Sequence, residues 1–228
     1  MIIFVNDINE RITQKPATKN THIRVAAIRM VSKSDFDANM TSARKLLRQA
    51  KRKSVDMVVL PENFLTYGTR PALDKSQEVE FVETFAKMAK EIDTWIVAGS
   101  FPLSYSIEGY NRQSEKVDKP YATSVVFHPD GRVHEYYDKI HLFDADVSDT
   151  NRRYRESDDF SHGDRPVVFD SPWGRIGLAI CYDLRFPELF LHFAQNSVSI
   201  ILIPSAFTEA TGRDHWEILL RARAIECQ

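Results

Sequence analysis

At 228 residues, 43% of them hydrophobic, the chain is long enough for one domain with a large buried core and too short to need two. Its 30 basic and 32 acidic side chains leave a formal charge of −2, which gives no field to hold nucleic acid or an anionic membrane, so the expected partner is a small molecule or another subunit. No stretch reaches the ~20 apolar residues of a spanning helix, and Asn6, Asp7, Asn9 and Glu10 interrupt the apolar start before a secretory core forms, so a cytoplasmic protein is expected.

Residues 1–21 are polar around Lys15 and Pro16 and read as an N-terminal extension adding little to the core, with a single domain over 22–228. Residues 23–28 read as a strand. Ser34 and Asp35 supply a cap for a helix over 36–53, on which Met40, Ala43, Leu46, Leu47 and Ala50 recur at the spacing of one buried face. Residues 57–60 form a short apolar strand of the kind covered on both faces. A second helix over 78–92 buries Phe81, Phe85, Met88 and Ala89, and an apolar strand follows at 95–98.

Two hairpins come next. Residues 124–127 and 133–137 flank Pro129-Asp130-Gly131, and residues 167–170 and 175–180 flank Pro172-Trp173-Gly174. A helix over 187–195, a strand over 200–203 and a helix from Asp214 onward complete the pattern. Hairpins set among alternating strands and helices predict a mixed sheet in a layered α/β sandwich.

Three positions carry chemistry. Cys181 ends an apolar strand ahead of Tyr182-Asp183-Leu184-Arg185-Phe186-Pro187-Glu188, a strand-to-helix corner that exposes a nucleophile and aims the Tyr182 N–H at a developing oxyanion; a buried, inert cysteine is the alternative. Glu62 follows a buried strand, where burial raises a carboxyl toward a useful base, against the alternative of a solvated loop glutamate. Lys139 lies among aromatics, placed either to hold an oxyanion or to pair with Asp138. Cys227 sits among structural residues, and without an export signal both cysteines are expected as free thiols.

Taken together, Pro61-Glu62, Lys139 ahead of His141-Leu142, and Cys181-Tyr-Asp-Leu-Arg-Phe-Pro-Glu188 resemble the nitrilase superfamily of carbon–nitrogen hydrolases, in that family's order. The likeness runs from about residue 23 to the last residue and includes the late helix with His215, Trp216, Arg221 and Glu226. It implies a four-layer α-β-β-α sandwich with mixed sheets, and a site in which Cys181 is the nucleophile, Glu62 the base and Lys139 the oxyanion cation. It adds a second glutamate between lysine and cysteine, for which Glu156 is chosen over its neighbours Asp158 and Asp159. Attack on an amide carbon then passes through a thioester, with no metal or other cofactor.

Substrate contacts are expected at Arg185, Phe64 and Ala206. Arg185 serves either as a carboxylate clamp or as a buried partner of Asp183 or Glu188. The segments around Lys139 and Cys181 look most like the Nit branch, whose members hydrolyse amides of small carboxylates such as deaminated glutathione and ω-amides of α-keto acids; nitrile and carbamoyl chemistry are the alternatives within the superfamily. A homodimer or higher homo-oligomer is expected through helices 187–195 and 214–227, with Leu189, Phe190 and Phe193 read either as contacts or as plain core packing. Family members continue past the Arg-Ala-Ile-Glu helix into further strands, so a truncated sandwich is also expected, with an inactive or binding-only protein as the competing class.

Overall fold

The structure is a computed structural model that describes residues 2–4, 22–67, 75–104, 118–149 and 153–228. Its first sheet has five strands in the order β2 (Val25–Ala27), β3 (Met57–Val59), β4 (Trp95–Leu103), β5 (Tyr121–Phe127) and β6 (Val133–Asp138). β2, β3 and β4 are parallel, whereas β5 and β6 fold back as antiparallel neighbours. The second sheet has the order β1 (Ile2–Phe4), β11 (Val198–Leu202), β10 (Gly174–Leu178) and β9 (Val167–Ser171). Here β10 and β11 are parallel and the outer pairs antiparallel. A small ribbon pairs β7 (Asp144–Asp146) with β8 (Arg153–Arg155).

Helix α1 (Phe36–Lys51) starts where Asp35 accepts a hydrogen bond from the Ala38 N–H at 3.0 Å, and it buries Met40, Ala43, Leu47 and Ala50. Together with α2 (Lys75–Ile92) it covers the outer face of the five-stranded sheet, around Phe64, Phe81, Phe85, Phe101 and Phe127. Between the sheets, Met57, Val59, Val97 and Tyr137 of one meet Phe169, Ile176, Leu178 and Leu202 of the other. On the far side α3 (Pro187–Gln195) packs its Phe190 and Phe193 with Leu220 of the last helix. That helix begins as α4 (Glu209–Thr211), passes through a π-turn at Gly212–Trp216 and continues as α5 (Glu217–Glu226). Three cores separated by two sheets make the expected four-layer α-β-β-α sandwich.

Some expectations change. Ile2–Phe4, assigned to a polar extension, pairs antiparallel with β11, its backbone supplying hydrogen-bond partners along that edge; the rest of 1–21 lies outside the described residues. β4 runs to Leu103 rather than stopping at Ala98, since a bulge between Ala98 and Phe101 absorbs Gly99 and Ser100 and pairing with β5 resumes. Of the two readings of Leu189, Phe190 and Phe193, core packing holds, since they are buried within this chain at 3%, 0% and 0% exposure. The large apolar side chains left in solvent on α3 and α5 are Leu191, Ile218 and Ile225. Among the described residues no helix is long and apolar enough to cross a membrane.

Candidate active site

The ends of β3, β6 and β10 converge at one end of the sandwich. Cys181 lies three residues past β10 and opens a 3-10 turn, Cys181–Arg185, that leads to Pro187 at the start of α3. Its φ is +47°, a left-handed conformation costly for a side chain with a Cβ, of the kind that surrounding structure must hold in place. Its N–H donates to the Pro204 carbonyl at 2.9 Å, and the Asp183 carboxylate accepts from the Ile180 N–H at 2.8 Å. Asp183 is fully buried and also accepts from the Tyr137 hydroxyl at 2.8 Å and the His141 N–H at 3.0 Å. Asp183 therefore ties the cysteine corner to the chain on either side of Lys139. The sequence reading weighed Asp183 only as a partner of Arg185, and this tie between the two segments escaped it.

Lys139 is 1% exposed, and its Nζ donates to Glu62 Oε1 at 2.8 Å and to Glu156 Oε2 at 2.8 Å. Glu62 Oε2 accepts from the Ala206 N–H at 2.8 Å, and Glu156 Oε2 accepts from the Phe143 N–H at 2.6 Å. The structure thus brings Glu156 onto Lys139. Burial alone would lower the Lys139 ammonium, but the Glu62 and Glu156 carboxylates outweigh it and hold the lysine well above its ordinary range. Burial raises the Glu156 carboxyl, against the pull of Lys139. Burial also pushes the Cys181 thiol well up, Glu62 adds to that push, and Lys139 opposes it.

Two glycines permit these close approaches. A Cβ on Gly99, φ +35°, would collide with the Pro61 carbonyl oxygen beside Glu62. One on Gly163 would collide with the carbonyl oxygen of Asp138 beside Lys139. Neither glycine belongs to a motif, so neither stands out in the sequence.

Cys181, Lys139, Glu62 and Glu156 line a cavity of about 340 Å³, together with Tyr182, Arg185, Ala206, Phe207 and the arginines of β8. Ala206 is at the cavity as expected, with its N–H engaged by Glu62. Phe64, expected to contact substrate, is instead fully buried against Phe81 and Phe85, because its apolar ring turns into the helical layer while Glu62 takes the opening. Arg185 pairs with neither Asp183 nor Glu188. Its guanidinium lies over the rings of Tyr182 and Phe207 at 5.5 and 5.6 Å and reaches His215 Nδ1 at 3.2 Å, while its buried Nε has no partner among the described residues. Among those residues no group of three or more His, Cys, Asp or Glu is arranged to hold a metal ion.

A buried cysteine beside a lysine held between two carboxylates, all lining one cavity, is an arrangement able to carry thiol acyl transfer, here on a nitrilase-type sandwich. The carbon-nitrogen hydrolase family matches residues 24–228. A deaminated glutathione amidase of Yersinia enterocolitica is 36% identical over 208 residues, covering 90% of this chain and 70% of that protein. The mouse omega-amidase NIT2 is 37% identical, covering 90% and 71%. Among solved structures the C. elegans NitFhit protein superposes with a TM-score of 0.73 at 33% identity over 90% of this chain and 49% of that one. An amidase from Nesterenkonia sp., at 21% identity and a TM-score of 0.74 over 92% and 74%, shares the fold. The chain belongs to the carbon-nitrogen hydrolase family of the nitrilase superfamily and is a cysteine-dependent hydrolase of carbon–nitrogen bonds.

Proposed function

We propose that the bond cleaved is the amide of a small carboxylate-bearing acid, such as deaminated glutathione or the ω-amide of an α-keto acid, and that Cys181, Glu62, Lys139 and Glu156 carry out the cleavage. The observation that supports this most is Lys139 bonded to both glutamates beside a thiol that burial keeps protonated. Such a thiol needs a base at the moment of attack. Glu62 takes its proton as the sulfur adds to the amide carbon, and Lys139 with the Tyr182 N–H holds the oxyanion. Glu62 returns the proton to the departing nitrogen, leaving a thioester on Cys181. It then deprotonates a water that attacks the thioester, and the released thiolate recovers the proton. Glu156 holds Lys139 in place throughout.

Arg185, beside the thiol and with its Nε unpartnered, clamps the carboxylate of the acyl half. The relatives named deaminated glutathione amidase and omega-amidase support that substrate class. Leu191, Ile218 and Ile225 give α3 and α5 an apolar outer face suited to a homodimer, and the two unbonded thiols suit a reducing compartment such as the cytoplasm.

The test is a panel of the ω-amide of α-ketoglutarate, deaminated glutathione and a matched nitrile, with ammonia and acid release followed for wild type and Cys181→Ala. Amide turnover that disappears in a folded variant is the expected result. Turnover retained by Cys181→Ala, or a wild type that cleaves the nitrile and neither amide, would end the proposal.

A further inference from the structure

Arg185 shares its 3-10 turn with Cys181 and lines the cavity, yet the groups that hold it carry no negative charge. Its guanidinium lies over Tyr182 and Phe207, and Nη2 reaches His215 Nδ1 at 3.2 Å. A guanidinium only donates, so His215 Nδ1 is the acceptor and carries no proton in this contact. The acids nearby in sequence have other partners: Asp183 accepts from Tyr137, Ile180 and His141, and Asp214 pairs with Arg213 at 2.8 Å. A carboxylate in place of the imidazole would grip the guanidinium more firmly. It would also cancel the charge by which Arg185 attracts an anion, whereas a neutral acceptor orients the group and leaves its charge whole.

The irregular start of the last helix delivers this acceptor. Thr208 caps α4 by accepting from the Thr211 N–H at 3.2 Å, and the π-turn Gly212–Trp216 follows. Within that turn Trp216 packs T-shaped against Phe207 at 4.8 Å, steadying one of the rings under the guanidinium, while its neighbour His215 meets Nη2. Among the described residues His215 does not itself line the cavity, so it acts on a ligand through Arg185. With Nη2 tethered, the buried and unpartnered Nε is a donor left for a ligand oxygen.

We infer that His215 is a positioning residue for the reaction: as a neutral acceptor it fixes the Arg185 guanidinium over Tyr182 and Phe207 and leaves its positive charge undiminished for the substrate. This inference rests on the amidase reading, in which Arg185 holds the carboxylate of the acyl half, and adds the residue that sets the orientation and charge of that arginine.

The test compares two amides, the 5-amide of 2-oxoglutarate and 4-oxopentanamide, in which a methyl group replaces the carboxylate. The readout is the ratio of their kcat/KM values in wild type and in three variants. His215→Leu removes the acceptor, His215→Asn keeps an uncharged oxygen where Nδ1 stands, and His215→Asp keeps the oxygen but adds a negative charge. Wild type is expected to favour the anionic amide. His215→Leu should lower that preference by about tenfold, through the KM of the anionic amide rather than kcat, and His215→Asn should keep most of it; His215→Asp should lose at least as much as His215→Leu. His215 is exposed, so the variants are expected to fold, and thermal unfolding checks this. The His215→Asn and His215→Asp pair decides the question even where His215→Leu unfolds.

A purely structural hydrogen bond predicts otherwise, since aspartate accepts from a guanidinium at least as well as asparagine does. A preference kept equally by His215→Asn and His215→Asp therefore overturns the inference. So does a preference untouched in His215→Leu, lost in His215→Asn or absent from wild type. In each of these cases turnover of the 2-oxoglutarate amide leaves the amidase reading standing, whereas failure of wild type to hydrolyse either amide removes both.

Discussion

Burial pushes the Cys181 thiol well above its ordinary range and the Glu62 carboxylate pushes it further, so in the resting site the sulfur is a protonated thiol. This gives Glu62 two opposing effects that a single substitution separates. Glu62→Gln removes a negative charge that disfavours the thiolate, while Lys139 and its attraction for the thiolate remain, so the thiol pKa falls. Alkylation of Cys181 by iodoacetamide, followed by mass spectrometry across a pH series, should move to lower pH in the variant and run faster near neutrality. Amide hydrolysis should fall by about 10²–10⁴-fold, because the proton then has no acceptor. A variant losing both reactivities together would show that Glu62 holds the site's shape rather than its proton. At this scale the four polar side chains were legible in the sequence, because Glu62, Lys139 and Cys181 sit in motifs and Glu156 follows from their order. Phe64 was misread because adjacency in sequence to Glu62 says nothing about which layer an aromatic ring will enter.

At the scale of elements, helices were read best where chemistry marks their ends. Pro187 and the apolar face behind it place α3 at Pro187–Gln195, as the sequence predicts, and Asp35 starts α1. The late helix was placed from Asp214 onward, whereas a π-turn at Gly212–Trp216 and a first turn at Glu209–Thr211 precede α5; the five-residue hydrogen-bonding step has no pattern of its own in the sequence. β4 was cut short at Gly99 because glycine and serine end an apolar run on paper, while in the sheet they form a bulge. That bulge brings β4 against the loop carrying Glu62: the Leu60 N–H donates to the Val97 carbonyl at 2.9 Å, and the Asn63 N–H to Ser100 Oγ at 2.9 Å. Gly99→Ala should therefore act on catalysis as well as stability. Its new methyl would meet backbone rather than a movable side chain, with φ at +35° adding strain. The expected outcome is a loss of more than about 1 kcal/mol in urea unfolding, with a fall in kcat as Glu62 is displaced. An active variant of normal stability would show that the loop yields without moving the carboxylate.

The whole molecule places its chemistry where two sheets meet, with Glu62 and Lys139 at strand ends of the five-stranded sheet and Cys181 at a strand end of the other. The layered architecture could be read from apolar strands alternating with amphipathic helices, but the division into two sheets could not, since strand periodicity does not record which strands pair. For the same reason Leu189, Phe190 and Phe193 read equally well as subunit contact or core, and only the packing under Gly177 and Leu220 assigns them to the core. What keeps the half-sites in register is a polar link through an apolar layer. Tyr137, on β6 and fully buried, donates its hydroxyl to Asp183 Oδ2 at 2.8 Å and accepts from the Ile140 N–H at 3.2 Å. Burial holds its phenol well above the ordinary tyrosine range, with the Asp183 charge adding to the effect, so the hydroxyl remains a donor at any working pH. Tyr137→Phe keeps the ring and its packing but leaves the Ile140 N–H without its partner and removes one of the bonds to Asp183. The cost should be about 1–3 kcal/mol in urea unfolding. Because the lost bond joins the Cys181 corner to the Lys139 strand, kcat should fall by up to about a hundredfold with KM little changed, the signature of misaligned reacting groups in a cavity that still binds. A stability loss with normal kcat would mean that the apolar contacts between the sheets align the site unaided, and that Tyr137 serves only to satisfy a buried carboxylate.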